Sequence, residues 1–293
     1  MKIFKSMTEG SVRALKSWKV ILIVWFVTLL MVSLFVLPAK GILKAGFGSS
    51  TITELLRSGI NIDVFSDLEQ YLGSIISYFS SGFFMFLLLG VLLYAFFAGG
   101  LFKSVSNKSQ VLSIPCFFRA SAKYFWYCLG LWFILALIII FSGLLIIGLP
   151  VGLISQAESG PGKMLVPAII GGGSLFLVWL IILLLVADYS RAWLISAETP
   201  VFFKALGFGF GQTFGHIGKS FLMMLIIMII LLLFGWIVSA IIGTWKPEDG
   251  SGVFLLFIVT QILFLLRIFL KVWRYGSVTT LMELSRPQAF TEQ

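Results

Sequence analysis

Six apolar runs divide the chain, and between them lie shorter stretches rich in charge, aromatic rings and glycine. The runs cover about 20–38, 82–101, 124–149, 167–187, 220–243 and 252–272. Crossing the ~30 Å hydrocarbon core takes roughly 20 apolar residues in a helix, and each run is of that order. The pattern predicts an all-α, polytopic membrane protein of six transmembrane helices, in a single membrane domain spanning 1–293.

The connection 39–81 is the longest. Ser50 or Thr51 can cap a helix carrying Ile52, Leu55 and Leu56. Asp63 can cap a second, with Leu68, Tyr71, Leu72, Ile75, Ile76 and Phe79 on one stripe by their spacing of three and four. That helix is expected to run on into 82–101, giving a rod about 57 Å long, well beyond the core thickness. Its first part must therefore stand outside the bilayer or lie along it. We read it as an amphipathic hairpin packed on the bundle, with a lid or partner-docking cap as the alternative. The basic start before 20–38 also suits a signal peptide with a weak site near Ala39. The run is too long for a typical signal core, however, and an uncleaved first span is expected.

Charge decides the orientation. Sixteen of the 21 Lys and Arg fall on the side that holds Lys2, Lys5, Arg13, Lys16 and Lys19, with five acids; the other side has five basic residues and seven acids. A Lys/Arg excess marks the cytoplasmic face. Both termini are therefore expected inside, in a cell (inner) membrane. Topology accounts for the net charge of +9, so nucleic acid is not needed to explain it. The expected partners are the bilayer and anionic lipid headgroups at the inner face. A membrane-protein partner or a second copy is a further candidate.

The inner connectors resemble one another. Phe4-Lys5, Phe117-Phe118-Arg119-Ala120 and Phe202-Phe203-Lys204-Ala205 each precede a span. Each even-numbered span ends in a related way, at Ala98-Gly99-Gly100-Leu101, Ala187-Asp188-Tyr189-Ser190 and Tyr275-Gly276-Ser277. This predicts three parallel units, each a helical hairpin with a cytoplasmic amphipathic elbow helix. In the third elbow Phe203, Leu206, Phe210 and Phe214 share a stripe expected in lipid, while Lys204, Gln212 and His216 are expected in water.

With 59% apolar and 11% charged residues and six spans, the chain leaves little room for a soluble catalytic domain. Cys116 and Cys128 offer no disulfide framework, and His216, the only histidine, has no partners for a metal site. There is no Ser/His/Asp set, no HExxH and no nucleotide fingerprint, so no cofactor is expected. Asp188 and Arg191 stand one turn apart at the end of span four, and Arg267, Lys271 and Arg274 share a face of span six. An inward anionic site of Arg267, Lys271 and Arg191, oriented by Asp188, is one reading. The other is an ion pair of Asp188 with Arg267 or Arg274 that holds the helices together. Gln261 lies near the middle of span six, where a polar group bonds another helix or lines a solute path. Small-residue stripes at Gly235/Ser239/Gly243, Gly148/Gly152 and Ala168/Gly172 predict close helix packing. Gly171-Gly172-Gly173 can additionally unwind span four near the outer face, which would point to a cavity; close packing is the first reading.

The tract Asp188-Tyr189-Ser190-Arg191-Ala192, followed by Ala205-Leu206 and a span beginning near Lys219, resembles uncharacterised bacterial six-helix inner-membrane families. Among these are the membrane domains found beside glycerophosphodiester phosphodiesterases. The resemblance implies the six-helix layout; the phosphodiesterase barrel is absent, so its activity is not implied. The expectation is a non-enzymatic accessory or scaffold component of the cell envelope. A transporter or channel for a small anionic or lipidic solute is the alternative, and an intramembrane lipid enzyme ranks third.

Overall fold

The computed structural model describes residues 2–47, 69–106, 113–156, 162–197, 201–245 and 249–285. Every element among them is helical: α1 (Lys2–Lys16), α2 (Trp18–Phe47), α3 (Glu69–Ser106), α4 (Ile114–Gly143), a π-helical turn (Leu144–Gly148), α5 (Leu149–Gln156), α6 (Gly162–Ser196), α7 (Phe202–Gly215), α8 (Ile217–Thr244) and α9 (Gly250–Ser285). Six rods are long and apolar enough to cross a membrane, namely α2, α3, α4 with α5, α6, α8 and α9. The chain is thus a multi-pass, all-helical membrane protein.

Several boundaries differ from the expected ones. The apolar stretch of span one ends at Pro38 as expected, but its helix does not, and Pro38 lies inside α2. The proline removes one N–H, and a long apolar helix tolerates that where neighbouring groups re-satisfy the freed carbonyl. Span three does not stop at Pro150 either, because helical backbone continues to Gln156. The rod expected over 64–101 is present as α3, 38 residues long. The helix placed around Ile52 and the Asp63 cap lie outside the described residues. Where a separate second elbow was expected, α4 is continuous from Ile114, with proline in its first turn. The first and third connectors do break. Ser17 closes α1 on the carbonyls of both Arg13 and Ala14, and His216 leaves helical geometry at φ −131°, ψ 35°.

The chain forms two compact units, Ile23–Tyr94 on its own and Met1–Leu22 together with Ala95–Gln293. In the first, Phe35 meets Phe86 at 5.4 Å, and its ring edge would lie 2.6 Å from a Cβ at Gly82. In the second, the buried core comes from α1, the end of α3 (Ala95–Val105), the start of α4 (Phe117–Leu135), the end of α6 (Leu183–Ile195), α7, the start of α8 (Ser220–Ile227) and the end of α9 (Ile268–Met282). The opposite stretches of these rods leave Phe141, Leu145, Ile170, Leu177, Leu232, Trp236, Phe254 and Ile262 exposed. Water would penalise so much bare apolar surface at about 25 cal/mol per Å², and hydrocarbon removes that penalty.

Glycines set the closest helix crossings. A Cβ on Gly10 of α1 would stand 2.5 Å from the backbone nitrogen of Ser277 in α9. One on Gly209 of α7 would stand 2.6 Å from the Val186 carbonyl of α6 and collide with the Ser190 hydroxyl. One on Gly99 of α3 would meet Tyr124 Cβ of α4 at 3.0 Å. The expected stripe of Gly235, Ser239 and Gly243 does not pack in this way. It is exposed on α8, and neither glycine has a neighbour within 4 Å.

Candidate functional site: a buried ionic cluster

Asp188 lies in the part of α6 that other helices cover, and it is fully buried. Helical spacing of three brings Arg191 back over it, with Nη1 3.5 Å from Oδ1. The second cation comes from α9, where Arg274 Nε stands 3.0 Å from Oδ2. That pair is close but poorly aligned, since neither atom makes a directed hydrogen bond there. Arg274 also lies 5.2 Å from the ring centre of Tyr275, whose ring stacks at 4.2 Å on Phe102 of α3. Beside Asp188, the Tyr189 and Ser220 hydroxyls share a 2.8 Å hydrogen bond that reaches α8. One carboxylate and its neighbours therefore tie α3, α6, α8 and α9 together.

Of the residues nominated from the sequence, Asp188 and Arg191 meet, and Arg274 rather than Arg267 takes the second carboxylate oxygen. Arg267 is exposed on α9. Lys271 is half-buried one turn before Arg274, and Gln261 is half-buried about 20 Å before it along the helix. The cause is where α9 is covered: burial is continuous from Val272 to Met282, apart from Trp273, and an Arg two turns before Arg274 faces outward.

A second ionic contact was not nominated at all. Arg13 of α1 grips Glu283 of α9 with both nitrogens of its fork, at 3.2 and 2.8 Å, and donates from Nη1 to the Val105 carbonyl at 3.1 Å. Val105 is the penultimate residue of α3, so its carbonyl has no partner within its own helix. Nearby, Trp273 donates its indole N–H to the Met7 carbonyl at 2.8 Å, and the Ser6 hydroxyl lies 3.4 Å from Met223 Sδ of α8. The one sequence signal for this contact was Glu283, an acid in an otherwise basic stretch.

Gln212, expected in water, is 2% exposed and its amide has no partner. Packing of α7 on α6 is the reason: Ala205, Gly209, Gln212 and Thr213 form its buried side. Leu206 and Phe210, expected in lipid, instead pack against Leu135, Leu183, Val186 and Ala187, leaving Phe203 and Phe214 exposed.

Gly171–Gly173 does not unwind, and α6 runs through it unbroken. The irregularity sits in the facing rod. Pro150 has no N–H to give the Ile146 carbonyl, the backbone widens into the π turn there, and that carbonyl stands 3.0 Å from where a Gly172 Cβ would be.

Among the described residues no three His, Cys, Asp or Glu side chains gather to hold a metal ion. The buried ionic groups bring together side chains from different helices, α1 with α9 and α6 with α9. No family model, curated protein or solved structure matches the chain.

Proposed function

We propose that the protein is a non-enzymatic scaffold or accessory component of a cell membrane, with both termini cytoplasmic, built from three repeated helical hairpins, each led in by an elbow that is a separate helix in the first and third units and the continuous start of α4 in the second. One register carries this reading. Set Phe4-Lys5 against Phe118-Arg119 and Phe203-Lys204, and all six side chains are exposed. The next residue and those four and eight further on are then buried in every unit: Ser6, Gly10 and Ala14; Ala120, Tyr124 and Cys128; Ala205, Gly209 and Thr213. Each such stripe lies against the end of an even-numbered span, and the first lies against the last span, closing the set. The ends of α1 and α7 fall at the same register, before Ser17 and His216.

The scaffold reading rests on Asp188, Arg191 and Arg274 facing one another inside the protein. It takes the inner-membrane setting from the Lys/Arg distribution, and it takes lipid headgroups as the partner of the exposed cations. The test uses purified protein in detergent and in vesicles. D188N and R274Q should each lower thermal stability and together cost less than their sum, whereas R267A should melt like the wild type. If vesicles carrying the protein pass anionic solutes, and R267A or Q261L abolishes that flux without changing the melt, the scaffold reading is wrong and the transporter reading replaces it.

A further inference from the structure

Around α1 the residues sort into three sides. One is buried, with Met7, Gly10 and Arg13 meeting α9 and Ser6 meeting Met223 of α8. A second carries Phe4, Val12, Leu15 and, just past the break, Trp18, all at least half exposed. Between them run Lys5, Glu9 and Lys16. A notch of about 320 Å³ opens where the second side meets the third, lined by Thr8, Glu9, Val12, Arg13 and Lys16.

We propose that this notch holds the headgroup of an anionic phospholipid, with the acyl chains lying along Phe4, Val12 and Leu15. The volume is at the small end of ligand sites, enough for a phosphate and its glycerol and too small for a whole lipid. Charge selects the headgroup. The Arg13 fork is held by Glu283, and Glu9 lies 3.9 Å from Lys5, which leaves the exposed Lys16 ammonium as the cation facing a phosphate. Apolar and cationic surfaces meet along one edge of the helix, which is the order of parts in a phospholipid at a bilayer interface. A soluble phosphate would use Lys16 but would leave the apolar side bare. The inference rests on the membrane reading above and adds a site and a lipid class to it.

The test places a photo-crosslinking amino acid at Val12 in full-length protein, reconstituted with phosphatidylglycerol as the minority lipid in phosphatidylcholine. Captured lipid is identified by mass. We expect phosphatidylglycerol enriched about fivefold over its mole fraction, the effect of one lysine beside an anionic surface, and no enrichment in the K16Q variant. The same probe at Leu15, against the acyl chains, should show that enrichment too. Capture at Val12 in simple proportion, or enrichment that K16Q leaves intact, overturns the site. So does enrichment that inorganic phosphate removes at constant ionic strength, which would assign the notch to a soluble anion. If Leu15 captures no lipid at all, the membrane placement of α1 fails instead. A thermal melt matching the wild type qualifies each variant, and Thr8 serves as the probe position should the Val12 variant not fold.

Discussion

Gly10 and Ser277 touch backbone to backbone: the Cβ that Gly10 lacks would fall 2.5 Å from the Ser277 nitrogen and 2.8 Å from its Cα. No side-chain rotation relieves such a contact, so α1 and α9 can lie this close only with glycine at that position. Gly276 repeats the arrangement from the other side, with the Gly10 carbonyl 2.8 Å from its missing Cβ.

Gly10→Ala should therefore destabilise by about 1–3 kcal/mol, the cost of forcing extra volume into a packed contact. Gly211→Ala in α7, with nothing within 4 Å, should instead gain up to about 1 kcal/mol from helix propensity. Thermal unfolding in detergent reads both. Equal effects from the two variants would show that α1 is not seated on α9.

Removing one member of a buried ion pair costs about 3–5 kcal/mol because the other is left uncompensated. That is the loss expected for Asp188→Asn and for Arg274→Gln. Arg191→Gln should cost less, since its contact with Asp188 is the longer at 3.5 Å. A double-mutant cycle on Asp188 and Arg274 should show coupling above about 1 kcal/mol. Additive losses would separate the two residues.

Arg13→Lys tests the fork. Lysine keeps the charge but cannot bond both Glu283 oxygens and the Val105 carbonyl in the same plane. We expect it to recover less than half of the stability lost in Arg13→Ala. Limited proteolysis between α1 and α2 should rise in both variants. Full rescue by lysine would reduce the contact to simple charge attraction.

At Gly172, a Cβ would press on the Ile146 carbonyl at 3.0 Å, and Gly172→Val should cost about 1–3 kcal/mol by overpacking. Pro150→Ala restores the missing N–H and should let the π turn relax toward α-helix. In that background the Gly172→Val penalty should shrink, as the carbonyl turns back into its own helix. An unchanged penalty would detach the π turn from the proline.

The six rods were legible because hydrocarbon demands length and apolarity, and both are properties of a linear string. The repeat was visible through Phe-Lys and Phe-Arg pairs, yet the packing is carried by their inconspicuous neighbours Ser6, Ala120 and Ala205. Helical spacing put Arg267 and Arg274 on one face and could not choose between them; the choice depends on which part of α9 other helices cover. Gly171–Gly173 suggested unwinding through its low propensity. A helix in lipid cannot drop its backbone bonds cheaply, so the distortion went to the neighbour with the proline. No periodicity links Arg13 to Glu283 across 270 residues.

That last separation sets a clock for biogenesis. α1 leaves the ribosome about 270 residues ahead of Glu283, part of its seat on α9. At about 5–20 residues per second, the N-terminal helix waits roughly a quarter of a minute to a minute before it can dock. Through that interval the Arg13 guanidinium and the small-residue side of α1 are open to chaperones and proteases. A chain interrupted before α9 therefore carries an unsealed first helix, by which quality control can recognise it as unfinished.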